Sequence, residues 1–278
     1  MLRPSAYEAF RALHERPGAF IMPNAWDGAS AALLRRAGFE ALGSSSLAIA
    51  FALGRQDGAH EVSRSEAIAN AALLATVSGL PVNGDLEDGF GAEPEDCATT
   101  VRAAIDAGLA GVGIEDTTAD PRNPIHDFDR AVARIRRAAQ EARGRILLTG
   151  RTDNFLHGRT DLEDTLRRLS AFAEAGADVL YAPGLPDMDA IRAAVRAVAP
   201  KPLNLLIGPR SGPVPLAALA AAGVRRISTG GAIYRHAMAA VVEAAQALNA
   251  DDFAAATRGV SMSEIAALLR DSAPSGAR

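Results

Sequence analysis

The chain has 278 residues, 49% of them hydrophobic and 22% charged, with a formal net charge of −4. That balance leaves no electrostatic footprint for nucleic acid, and no basic run is present. A lone cysteine, Cys97, excludes an intrachain disulfide, and no apolar stretch reaches the roughly 20 residues of a membrane helix. The first eight residues, Met1 to Glu8, lack the apolar core of a secretory signal, so the expectation is a cytoplasmic protein with neither nucleic-acid nor membrane partner.

Taken in chain order, apolar strand-like runs alternate with Ala/Leu/Arg-rich helical patterns. Strands are predicted at 19–23, 41–44, 81–85, 111–114, 146–149, 178–182, 202–206 and 226–229. Helices are predicted at 27–37, 63–78, 94–107, 128–142, 162–175, 186–198, 214–222 and 234–248. The pairs Ala37-Gly38, Ala107-Gly108, Ala175-Gly176 and Ala222-Gly223 punctuate this pattern. A glycine just past a helix end takes the left-handed backbone position there, so each pair marks a helix-to-strand junction. Pro94 suits a first helical turn, and Ser63 and Asp161 suit N-caps. Eight βα units in a chain of this size predict a (β/α)8 TIM barrel. An open doubly wound sheet is the alternative, but no Gly-x-Gly-x-x-Gly follows the first strand. The barrel is expected as one domain over residues 1–271, including a C-terminal helical extension at 251–269, with a frayed tail at 272–278.

In a parallel barrel the strand ends share one rim, and acidic side chains cluster at three of them. They lie in Asn83-Gly84-Asp85-Leu86-Glu87-Asp88-Gly89-Phe90-Gly91, Gly113-Ile114-Glu115-Asp116 and Gly150-Arg151-Thr152-Asp153. Asp57, in the loop after the second strand, joins Asp85, Glu87 and Glu115 as a candidate. Oxygen-rich sites of this kind suit a hard divalent cation such as Mg2+, for which one direct carboxylate and others acting through water suffice. Solvation or helix capping explains any one of these acids equally well, but less readily Asp85 and Glu87 together among glycines. Arg151 can grip a carboxylate in two-pronged fashion or form a structural ion pair with Asp153 or Glu115. Ser44-Ser45-Ser46 offers hydroxyls and N–H groups as an oxyanion site, or merely a small-residue turn.

Covalent routes are poorly served. Lys201 is the sole lysine, against 28 arginines, and lies at the start of the seventh strand, away from the rim. Cys97 falls within a helix, where packing is the expected role. The histidines 14, 60, 126, 157 and 236 show no two-histidine metal spacing, and no Gly-x-Ser-x-Gly elbow is present. Stabilisation of an oxyanion by a metal and an arginine remains.

The segments Leu42-Gly43-Ser44-Ser45, Ala52-Leu53-Gly54 with Asp57, Gly84 to Gly91, Gly113 to Asp116 and Arg151-Thr152-Asp153 resemble, in order and spacing, the isocitrate lyase/phosphoenolpyruvate mutase superfamily. The resemblance spans about Pro23 to Ala240. It implies a barrel that binds Mg2+, with Mn2+ as a substitute, and a small 2-oxo or 2-hydroxy acid, in a homodimer or homotetramer whose eighth helix is often swapped between subunits. It implies Asp85 as the direct metal ligand, with Glu87, Glu115 and Asp57 holding metal-bound water. Gly43, Ser44, Ser45 and Asp57 would line the substrate site, Asn204 would contact substrate, and Arg151 would steady developing negative charge.

Two departures narrow the expectation. The loop after the fourth strand, 116–127, lacks the Lys-Cys-Gly-His sequence of the (methyl)isocitrate lyases, leaving His126 or Asp120 to supply a proton. The seventh strand carries Leu205-Leu206-Ile207-Gly208 where those lyases have hydroxyl residues, which argues against a dicarboxylate product arm; Arg210 is a candidate for a distal anion. The expected activity is Mg2+-dependent cleavage of a C–C bond in a small acid, methylisocitrate lyase-like or oxaloacetate decarboxylase-like, through a metal-stabilised enolate in which Glu115 and Arg151 take part. The alternatives are P–C bond chemistry of the phosphoenolpyruvate mutase or phosphonopyruvate hydrolase kind, of which Asn123 is the only echo in that loop, and a barrel that binds an acid without turning it over.

Overall fold

A computed structural model describes residues 4–208 and 212–272 of the chain. Arg210 and the tail from 273 onward, both named above, lie outside the described residues.

Eight strands run in chain order as β1 (Phe20–Met22), β2 (Leu42–Gly43), β3 (Val82–Asp85), β4 (Gly111–Glu115), β5 (Leu147–Arg151), β6 (Val179–Tyr181), β7 (Leu203–Leu206) and β8 (Arg226–Ser228). Every pairing is parallel, in the order β1-β8-β7-β6-β5-β4-β3-β2. A parallel bridge between Asn24 and Gly43 links the two ends of that order, giving the nearly closed, TIM-like barrel anticipated from the repeat. The close approach explains Gly43: a Cβ there would lie 2.8 Å from Nδ2 of Asn24.

The helices are α1 (Ala6–Glu15), α2 (Gly28–Arg36), α3 (Ser46–Ala52), α4 (Arg64–Ser78), α5 (Pro94–Asp106), α6 (Phe128–Ala142), α7 (Leu162–Ala175), α8 (Met188–Val198), α9 (Leu216–Ala221), α10 (Ala232–Asn249), α11 (Phe253–Ala256) and α12 (Met262–Ser272). Ser63 and Asp161 cap α4 and α7 through their side chains, and Pro94 opens α5. Gly38, Gly108, Gly176 and Gly223 all have positive φ, as the punctuation required.

Two helices, α1 and α3, are absent from the sequence expectation. The first closes the bottom of the barrel: Phe10 is fully buried with Phe20, Met22, Ala41, Ala110 and Leu147 near the strand starts. Gly111 leaves room for it, since a Cβ there would come within 2.7 Å of the Phe10 ring. The second continues directly from the serine triplet, which is therefore a helix entry. The main core, between sheet and helices, is built from small and branched residues such as Ala71, Leu74, Val101, Val112, Ile135 and Leu148. Among the described residues no helix is long and apolar enough to cross a membrane.

Candidate active site

Strand register gathers the rim residues. Asp85 pairs with Gly113, Glu115 with Arg151, and Arg151 with Tyr181, so β3, β4, β5 and β6 end side by side. Arg151 is the hub. Its Nη1 lies 3.0 Å from Glu115 and 3.4 Å from Asp85, while Nε and Nη2 grip both oxygens of Asp153 at 2.5 and 2.7 Å. Burial disfavours its charge, but Asp153, Glu115 and Asp85 more than compensate and hold its pKa well above the usual arginine value.

The carboxylates are held from behind. Asp85 Oδ2 accepts from both the backbone N–H and the hydroxyl of Ser46, each at 2.9 Å, which leaves Oδ1 toward Arg151. Ser44 Oγ accepts from the Asp85 N–H at 2.8 Å, and Ser44 is buried. Ser45 caps α3 through Ala48 N–H. The triplet thus positions Asp85 and opens a helix at once. Glu115 accepts from the Thr117 hydroxyl at 2.8 Å.

Negative charge outweighs positive here. Burial, then repulsion from Asp85, Asp88 and Asp57, pushes Glu87 up to about 8. Burial raises Glu115 well above the usual carboxylate range, with Arg151 opposing. Asp57 stands on an exposed loop, yet enclosure of its carboxyl and the nearby Asp85 raise it too. Asp85, Glu87, Glu115, Asp57 and Arg151 are therefore brought together.

Among the described residues no three carboxylate, histidine or cysteine side chains already converge as a metal cage. The donor set nonetheless fits a hard cation. It is all oxygen, it carries more negative charge than Arg151 can neutralise, and Mg2+ needs few direct protein ligands because it keeps its water.

Other sequence candidates lie elsewhere. His126 stands outside this cluster. It lines a cavity of about 470 Å3 with His60, Arg64, Asp88, Phe90 and Thr118, and His60 Nδ1 lies 3.8 Å from Glu87. Its Nε2 is buried without a partner, and burial beside Arg134 and Arg130 lowers its pKa to about 4. Asp120 is committed to its own loop, accepting from Arg122 and Asn123. The amide of Asn204 is occupied inside the barrel: Oδ1 accepts from Arg226 Nε at 2.8 Å, and Nδ2 donates to Ser228 Oγ at 3.0 Å. Cys97 is buried, and burial pushes its thiol up to about 11.

Two participants escaped the sequence reading, and a third was given another role. Tyr181 lays its ring 5.2 Å from the Arg151 guanidinium, hydrogen-bonds Ser228, and is held by burial at about 12, hence protonated. A tyrosine ending a barrel strand level with Arg151 was the available signal. Asn24 accepts from the N–H groups of Thr229 and Gly230 at 3.0 and 2.8 Å and donates to Ser44 O at 2.6 Å. It so clips together the ends of β1, β2 and β8 and uses the amides of the Thr229-Gly230-Gly231 turn. Ser46, the third, was named in the serine triplet, but its role toward Asp85 depends on where α3 begins.

The chain matches the phosphoenolpyruvate phosphomutase family over residues 10–249. It is 33% identical over 267 residues to an uncharacterised protein of Mycobacterium tuberculosis, covering 95% of this chain and 96% of the relative. A crystal structure from Burkholderia cenocepacia J2315, of a protein whose activity is given no more closely than lyase or mutase, superposes with a TM-score of 0.89 at 45% identity, covering 94% of each chain. Oxaloacetate acetylhydrolase in complex with its product oxalate superposes with a TM-score of 0.86 at 27% identity, over 95% of this chain and 94% of that one.

Proposed function

Because this chain belongs to the phosphoenolpyruvate mutase/isocitrate lyase superfamily, we propose that it cleaves a C–C bond of a small 2-oxo or 2-hydroxy acid in a Mg2+-dependent reaction. The superfamily includes lyases, hydrolases and mutases, and its members typically use Mg2+. The observation that carries the reading is the grouping of Arg151 with Asp85, Glu115, Glu87 and Asp57 at one barrel rim.

Asp85 would hold the cation directly, with Glu87, Glu115 and Asp57 holding its water shell. When bound there, the cation supplies positive charge that lowers the energy of a developing enolate. Arg151, pre-set by Asp153, donates to the oxygen on which negative charge grows, and needs no reorganisation as the bond breaks. Asp153 fixes the fork through both of its oxygens. Ser44 and Ser45, with the Gly43 backbone, form the wall against which the substrate carboxylate lies. Tyr181 stays neutral and closes the side of the pocket next to Arg151. An oxaloacetate-like acid suits this set best, because loss of carbon dioxide from it, or its hydrolysis by water into two two-carbon acids, needs no cysteine acid, and neither His126 nor Asp120 is placed with Arg151. Resemblance to oxaloacetate acetylhydrolase supports the same substrate class.

A homo-oligomer belongs to the proposal. Of the 18 residues of α10 only Tyr234 is buried, while Met238, Val241, Val242 and Leu248 stand exposed, an apolar face suited to a second copy. We read residues 1–271 as one barrel domain with its C-terminal helices.

The test is turnover of oxaloacetate, 2-methylisocitrate, 2,3-dimethylmalate and phosphonopyruvate with Mg2+, following pyruvate and oxalate release. The expected result is EDTA-sensitive release from a C–C substrate. Turnover of phosphonopyruvate alone would move the assignment to P–C chemistry.

A further inference from the structure

Two arginines among the largest fully buried side chains, Arg134 and Arg168, occupy equivalent places in successive βα units. Arg134 lies six residues after Phe128, the first residue of α6, and Arg168 six residues after Leu162, the first of α7. Their exposures are 1% and 2%. Each reaches back to the rim loop one unit earlier than the loop leading into its own helix.

From α6, Arg134 donates Nη1 to Ala92 O at 2.6 Å and Nη2 to Asp88 O, spanning the β3–α5 loop. Glu87 stands at the mouth of that loop in the left-handed region, φ +47°, and Phe90 follows at φ +59°. Such angles are unfavourable for residues with a Cβ and persist where surrounding contacts impose them. From α7, Arg168 donates Nη1 to Asp116 Oδ2 at 3.1 Å and to His126 O at 3.0 Å, and Nε to Asp164 at 2.7 Å. It thereby joins both stems of the β4–α6 loop, which are also tied by His126 N–H to Asp116 O at 2.8 Å. The other oxygen of Asp116 accepts from Asp153 N–H at 2.9 Å, and Asp153 is the residue that aims Arg151.

A guanidinium is a costly core filler, and a leucine or methionine would pack there without desolvating a charge. What the arginines provide is a fan of donors aimed at loop carbonyls and, for Arg168, at a buried carboxylate. We propose that Arg134 and Arg168 are positioning residues: Arg134 fixes the loop that presents Glu87 to the cation, and Arg168 fixes the Asp116–Asp153 link that orients Arg151 toward the anionic ligand. The proposal rests on the cation-binding reading above and adds a division of labour between the two loops.

The test uses Arg134→Met and Arg168→Met in the full chain, with Arg→Lys at each position as a milder variant should a methionine protein fail to fold. Three quantities are read: Mg2+ affinity by calorimetry, oxalate affinity at saturating Mg2+, and backbone hydrogen exchange of the metal-free protein. Removing a supporting partner of a metal ligand typically costs about 10-fold to 100-fold in affinity, so Arg134→Met should lose at least about tenfold in Mg2+ affinity. Its exchange should rise at 86–92 and stay unchanged at 116–126. Arg168→Met should keep Mg2+ affinity within about threefold, lose at least about tenfold in oxalate affinity, and exchange faster at 116–126 only. Lysine variants, which retain one donor, should fall between. Wild-type affinities in both variants, or exchange that rises uniformly, would overturn the proposal in favour of plain structural support. Failure of the wild-type protein to bind Mg2+ would instead overturn the cation reading, and loop-selective exchange would then decide the positioning roles alone.

Discussion

Replacing Glu87 by glutamine should stabilise the metal-free protein at alkaline pH and weaken it as a cation site. Burial first, and then repulsion from Asp85, Asp88 and Asp57, raises this carboxyl from the usual 4.5 to about 8. A carboxyl whose pKa is higher folded than unfolded is one that the native state prefers protonated. The penalty is absent below the unfolded pKa, grows as pH rises, and is complete above the folded pKa. At about 1.4 kcal/mol per pH unit, the full rise from 4.5 to about 8 corresponds to at most about 5 kcal/mol. Between pH 5.5 and pH 9 the part that appears is about 3 kcal/mol. Glutamine keeps the shape and drops the charge. Urea unfolding in EDTA should therefore show Glu87→Gln gaining about 3 kcal/mol over wild type on going from pH 5.5 to pH 9. Added Mg2+ should reverse the order, because a cation relieves the same repulsion in the wild type and less so in the variant. A variant that gains nothing at pH 9, or loses stability there, would refute the claim that the rim is crowded with unbalanced carboxylate charge.

Other outcomes follow from the same geometry. Asp85→Ala should abolish Mg2+-dependent turnover, and full activity in steady-state assays of that variant would remove the assigned centre. Arg151→Ala should lower kcat by about 100-fold to 1000-fold with a smaller change in KM, since its donors act chiefly as charge develops. Phe10→Ala, which empties the plug beneath the barrel, should cost about 3 to 5 kcal/mol in denaturant unfolding and leave Mg2+ affinity unchanged in the folded protein.

The barrel was legible because its cues are local and repeated. Glycines with positive φ end helices at regular intervals, and capping residues such as Ser63 and Asp161 begin them. Asp85 and Glu115 were legible for the same reason, each closing its own strand. What stayed hidden depends on contacts distant in sequence. Helix α1 gives no strand-linked signal, and only the barrel floor explains its Phe10. The serine triplet read as an oxyanion site or a turn, because nothing in it reveals that Ser46 donates to Asp85, 39 residues away. Asn24 and Tyr181 are ordinary strand-end residues until register sets them beside Gly230 and Arg151. His126 and Asn204 were judged by position along the chain. Tertiary packing lines the His60 cavity with the first and commits the amide of the second to Arg226 and Ser228.

The most direct test of the central claim is a crystal structure of the protein with Mg2+ and oxalate. The account predicts a cation about 2.1 Å from a carboxylate oxygen of Asp85, with water between it and Glu87, Glu115 and Asp57, and oxalate within hydrogen-bond reach of Arg151. A cation bound away from Asp85, or oxalate bound without Arg151, would contradict it.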